Sequence, residues 1–169
     1  MNSAYKSNPD LWVVYSNHKT NYFKFGISKP ILSEEDYLNT TKNTRKPTSV
    51  LAPIRTWRVK LIRHIPPLYH RLKNGQWLDI VSDDALLHPL FELASASRIR
   101  YISEIMYDYN VNYGGTNINR TPQKNNYRRV IYNYLLTLKP LNALASLEKA
   151  TKNEQVWKIL ARDNGTKYK

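Results

Sequence analysis

The sequence predicts an α/β fold: a short mixed sheet with an N-terminal hairpin, flanking helices and a helical C-terminal tail. Three observations carry that expectation. The runs "LWVVYS" (11–16) and "YFKFGIS" (22–28) are rich in β-branched and aromatic residues and are separated by the turn-like "NHKTN", the pattern of a hairpin. "RIRYISEIMYDY" (98–109) alternates like a further strand. The segments 83–94 and 124–138 instead repeat apolar residues at helical spacing.

In chain order, residues 29–53 turn polar and read as a long excursion loop with a helical turn near "SEEDYL". In "IRTWRVKLIRHI" (54–65), Trp57, Leu61 and His64 sit at helical spacing while Val59, Leu61 and Arg63 alternate. Helix is the favoured reading, ended by Pro66 and Pro67. A turn is expected at Asn74 and Gly75, and Ser82 is placed to cap a helix starting at Asp83. That helix offers Leu86, Leu87, Leu90, Phe91, Leu93 and Ala94 as its apolar face, and Pro89 removes one internal hydrogen bond. The strand then sets Ile99, Tyr101, Ser103, Ile105, Tyr107 and Tyr109 on one side and Ile102 and Met106 on the other, so both faces are expected to be partly covered. Tyr127, Val130, Ile131, Tyr134, Leu135 and Leu138 define the next helix, and two shorter helices are expected at 141–151 and 153–161.

A chain of 169 residues supports one domain with a real core, and 41% hydrophobic residues with 13 Tyr and 4 Trp argue that it folds. The absence of cysteine excludes disulfides, thiolate metal sites and a cysteine nucleophile. Twenty-six Lys and Arg against 13 Asp and Glu give a formal charge of +13, a field that draws nucleic acid, an anionic membrane surface or phosphorylated ligands. No apolar run is long enough for a transmembrane helix, and "MNSAYKSNPDLW" lacks the apolar core of a signal peptide. The expected location is cytoplasmic, or peripheral to a membrane through the basic surface.

Asp83 and Asp84 fall in the first turn of the predicted helix. There they compensate the helix dipole, worth about 0.5–1 kcal/mol. A carboxylate held at a cleft edge by packed neighbours also suits a general base. The segments "IRTWRVKLIRHIPP", "NGQWLDIVSDDALLHPLFELA" and "RIRYISEIMYDYN" resemble the acceptor-side, C-terminal half of a GT-A type glycosyltransferase of the inverting family 2 class. That family carries an arginine-threonine-aromatic phrase, a proline-containing helix opened by "S/T-D-x-A", and a strand reading "I-x-E-x-L-Y-x-Y-N". The opening "AYKSNPDLWVVYSNHKT" is similar to the family's stretch after the nucleotide site.

The resemblance implies that Asp83 is the catalytic base toward an acceptor hydroxyl. It implies substrate-binding roles for Arg55, Thr56, Trp57, Asp84, Glu104, Tyr109 and Asn110. It covers roughly 4–119, which divides the chain into a glycosyltransferase-like region, 1–120, and a helical extension packed on it, 121–169. The family's donor-binding half, with the D-x-D motif that holds a metal and the diphosphate, has no counterpart here. The implied partners are a separately encoded donor-binding half or a second copy of the chain, a sugar nucleotide, and a glycan or protein acceptor. A divalent Mg or Mn ion is implied only where a partner supplies the D-x-D ligands.

A rival reading comes from "VVY" and "FKFGIS", which resemble the paired phrases of GIY-YIG nucleases. It would give Tyr15, Tyr22, Arg55 and Glu104 roles in metal-assisted phosphodiester cleavage. A non-catalytic nucleic-acid-binding module is the simpler variant of it.

Overall fold

The computed structural model describes residues 1–21, 30–39, 41, 54–109 and 121–148. Its centre is a three-stranded mixed sheet in the order β2-β1-β3. Strand β1 (Val13–Thr20) pairs antiparallel with β2 (Arg55–Trp57) and parallel with β3 (Ile99–Tyr109). A parallel pair requires a crossover connection. Here it contains helix α3 (Ser82–Leu93), which packs on one face of the sheet.

Because successive strand residues point to opposite faces, β1 feeds two separate clusters. Val13 and Tyr15 join Leu61, Ile65, Tyr69, Leu90 and Phe91 in the main core. Val14 turns the other way, toward Ala4 and Leu11. That second face is covered by a short helix α1 (Asn2–Ser7), an element the sequence pattern does not announce. Tyr15 is fully buried, meets Phe91 edge to face at 5.5 Å, and its hydroxyl accepts a hydrogen bond from Ile31 N–H at 2.8 Å.

Helix α3 is buried along most of its circumference, including His88, Pro89 and Glu92. Such a helix belongs in the middle of a domain. Pro89 carries no N–H, so the Ala85 carbonyl lacks its usual partner four residues on.

The expected turn near "SEEDYL" is helix α2 (Glu34–Leu38), where the Ser33 side chain accepts from Asp36 N–H. Gly75, at φ 84°, takes the expected turn beside Asn74. Helix α4 (Pro122–Thr137) begins as its sequence dictates, with proline in the first turn and Thr121 Oγ1 accepting from Lys124 N–H at 3.2 Å. Ile131 and Leu135, four residues apart, are its buried side chains.

Four expectations need correction and one is sharpened. The "NHKTN" turn is not formed, because β1 continues through Thr20; its antiparallel partner among the described residues is β2, and residues 22–28 of the expected hairpin lie outside them. Residues 54–65 are not one helix, since β2 occupies 55–57 and a 3₁₀ helix occupies Val59–His64. The alternating Val59, Leu61 and Arg63 all fall within the 3₁₀ helix, so the alternation did not mark the strand.

Ser82 is not the cap. Helix α3 starts one residue earlier than a Ser82 cap requires, with the Val81 carbonyl accepting Ala85 N–H at 3.1 Å. Strand β3 is partly covered on both faces, as expected, but only near its start, where Tyr101 packs on the main core and Ile102 on the second cluster. Its register against β1 slips at Ser16/Asn17 and again at Asn17/His18, and Ser103, Glu104, Ile105 and Met106 are exposed there. Bulges of this kind break the simple alternation.

The C-terminal tail is not helical over 141–148. That segment is an extended strap, and residues 110–120 and 149–169 lie outside the described region, including the helix expected at 153–161. The strap is held through its main chain: Glu92 Oε2 accepts Leu141 N–H at 2.8 Å, Leu93 O accepts Leu144 N–H at 2.9 Å, and Arg98 donates to Leu144 O and Ala145 O. Tyr69 also donates to Lys139 O. Glu92→Ala is expected to cost about 1–3 kcal/mol by stranding the Leu141 amide, and hydrogen exchange should show Leu141 losing protection before the β1 amides do. Among the described residues no helix is long and apolar enough to cross a membrane.

Candidate active site

The parallel pair β1 and β3 runs toward the N-terminus of α3, and in α/β sheets the carboxyl ends of parallel strands are where ligands are bound. Tyr109 ends β3 at this edge. It lines a cleft of about 660 Å³ with residues 79–84 and with Arg128, Arg129 and Tyr132 of α4. Pockets for small ligands have volumes of roughly 300–1,000 Å³.

The acidic floor of this cleft is placed by Val81. Its backbone lies at φ 61°, ψ 22°, the left-handed region, where a β-branched residue is strained. That bend turns the chain from the 79–80 segment into α3 and sets Asp83 and Asp84 in the first helical turn. Asp83 is exposed, whereas Asp84 is half-buried with its carboxylate 4.0 Å from His88 Nε2. His88 is buried, and its ring centroid lies 6.5 Å from that of Tyr132. Asp84 is therefore tied into the packing of α3 and α4, and Asp83 is turned to solvent. Asp79 accepts a hydrogen bond from the Tyr127 hydroxyl at 3.1 Å.

Arg55 supplies the cation behind the acids. Burial pulls its guanidinium below the ordinary arginine value, and the Asp83 and Asp84 carboxylates oppose that pull. Its charge in turn holds His18 down, adding to the burial of the imidazole. The local order is thus His18 on β1, Arg55 on β2, and the two aspartates on α3. Among the described residues no cluster of three or more His, Asp or Glu is arranged to hold a metal ion.

The structure brings Arg55, Asp83, Asp84 and Tyr109 to one region and sends the other expected residues elsewhere. Thr56 is next to Arg55 in sequence, but the pleat turns it to the opposite face, where its hydroxyl meets Tyr5 at 3.2 Å. Trp57 packs on the main core. Glu104 lines a separate groove with Ser3, Ser7 and Arg100 on the α1 side. Asn110 lies outside the described residues.

Of the nuclease set, Tyr22 is also outside them. Tyr15 is buried, which pushes its phenol up, and Glu104 is in a different groove from the acids that Arg55 faces. Sequence reasoning did not assign the α4 wall. Its signals were the adjacent Arg128 and Arg129 and the placement of Tyr132 one helical turn beyond Arg128.

A larger cleft, about 850 Å³, lies between residues 8–12, 58–60 and the strap. Its arginines are already engaged. Arg58 donates to Pro9 O and Leu11 O, and Arg98 stacks 3.9 Å over Trp12 while holding the strap.

His18 and His70 are both held below the ordinary histidine value by burial. A depressed folded-state value means that the unfolded chain takes up protons first, so folding stability is full above about pH 6.5 and falls as pH drops below it. Urea midpoints measured at pH 7.5 and pH 5 should show the decline, and His18→Asn with His70→Asn should flatten it.

Comparison with family models, curated proteins and solved structures finds no match to this chain.

Proposed function

We propose that this chain is the acceptor-side part of an inverting glycosyltransferase, working with a donor-binding half that supplies the sugar nucleotide and its metal. The observation that carries the reading is the placement of Asp83. It is an exposed carboxylate in the first turn of a deeply packed helix, at the rim of a cleft beside the carboxyl end of β3, with Arg55 electrostatically coupled to it.

A base of this kind takes the proton of an acceptor hydroxyl as its oxygen attacks the anomeric carbon, opposite the departing nucleoside diphosphate. The burial of α3 fixes the position of the carboxylate, which a general base needs more than strength. Arg55 keeps the pair of adjacent acids compensated and in register. Tyr109 and Tyr132 offer aromatic surface on which a sugar ring can lie.

The test is a transfer assay with uridine-, guanosine- and thymidine-diphosphate sugars, using the chain together with a donor-binding protein encoded beside it. Sugar transfer that requires both chains supports the reading. Full transfer by the donor-binding protein alone removes this chain from the reaction.

A further inference from the structure

The acidic floor of the cleft faces a basic wall. Arg128 and Arg129 line it from α4, a helix without a single Asp or Glu. The acids have other company: Asp79 takes the Tyr127 hydroxyl, Asp84 stands beside His88, and Asp83 and Asp84 both act on Arg55. Arg129 hydrogen-bonds to the neutral Asn126 side chain at 2.9 Å. Arg128 Nε is shut off from water and has no hydrogen-bond partner among the described residues. The enclosed Nε is out of reach of a ligand, but the outer nitrogens of Arg128 are not enclosed in this way and make no hydrogen bond among the described residues, and a planar fork of N–H donors is best satisfied by the paired oxygens of a phosphate.

We infer that Arg128 and Arg129 form a phosphate subsite, and that the acceptor sugar carries the phosphate it binds. The assignment to the acceptor rests on the proposed function. In an inverting displacement the base and the leaving diphosphate stand on opposite sides of the anomeric carbon. Arginines that line the same cleft as Asp83 lie on the base's side, where the acceptor sits. Tyr132, one turn beyond Arg128 on α4, and Tyr109 across the cleft then flank the sugar ring.

The experiment is a binding titration of the full chain at low salt, by calorimetry or NMR, with glucose 6-phosphate, glucose and uridine diphosphate as probes. Glucose 6-phosphate is expected to bind at least about tenfold more tightly than glucose. Arg128→Gln should erase that difference, and Arg128→Lys, which keeps charge but loses the fork, should restore part of it. Unfolding midpoints of both variants close to that of the wild type identify any loss as a loss of contacts.

If Arg128→Gln leaves phosphate binding intact, the subsite is overturned. If it abolishes uridine diphosphate binding but spares glucose 6-phosphate, the arginines serve the leaving group and the acceptor assignment falls. Binding is measured without turnover, so the phosphate titration keeps its meaning even where the transfer assay fails.

Discussion

Asp83→Asn is expected to lower sugar transfer by about 10²–10⁴-fold, the usual contribution of a positioned general base, while the chain stays folded. Asparagine keeps the shape of the side chain and loses only its basicity. Asp83 is exposed, so the structural cost is confined to dipole compensation in the first turn of α3, about 0.3–1 kcal/mol. Asp84→Asn should show the reverse balance. It loosens the contact with buried His88 and shifts stability more than rate. Rates and unfolding midpoints measured side by side on both variants check the pair, and transfer by Asp83→Asn within about threefold of wild type would rule Asp83 out as the base.

Phe91→Ala should have the largest effect on stability, about 3–5 kcal/mol. Phe91 is fully buried and packs its ring edge to face on Tyr15, so truncation opens a cavity between α3 and the sheet. Against a typical domain stability of roughly 5–15 kcal/mol this removes a large share. A chemical denaturation midpoint that drops at unchanged slope is the expected signature. A loss below about 1 kcal/mol would mean that α3 is not the rigid backing on which the base depends.

The elements around the site were legible where one period dominates. The 83–94 run announced α3 by its leucines and first-turn acids, the alternation of 98–109 announced β3, and the apolar spacing of 124–138 announced α4, which starts two residues earlier, at Pro122. Reading failed where two structures satisfy one pattern. Leu138, Leu141, Leu144 and Leu147 recur every third residue and pack on the core. That spacing suits a helix, but it suits an extended chain with three residues per turn equally well. Leu138, at φ −70° and ψ 137°, already has the extended geometry.

The site itself was half legible. Asp83 and Arg55 were proposed from local phrases and lie in one region, but a phrase does not say which way its members point. Once 55–57 is a strand, Arg55 and Thr56 must face opposite sides of the sheet. Glu104 follows Arg100 and Ile102 by the same alternation to the α1 side. Arg128 and Arg129 were visible as charges, yet only the packing of α4 against the 79–84 turn gives them an address.

The strap at 138–148 is gripped by its peptide groups, and the gripping side chains, Tyr69, Glu92 and Arg98, belong to the body of the domain. Evolution therefore meets an asymmetry along this seam. Outside the leucines and Glu148, whose carboxylate meets Lys60 at 2.8 Å, the strap's own letters are free to vary, because the other bonds that hold it do not read them. Selection falls instead on three residues distant in sequence, and a change at any one of them would be registered by a segment it never adjoins in the chain.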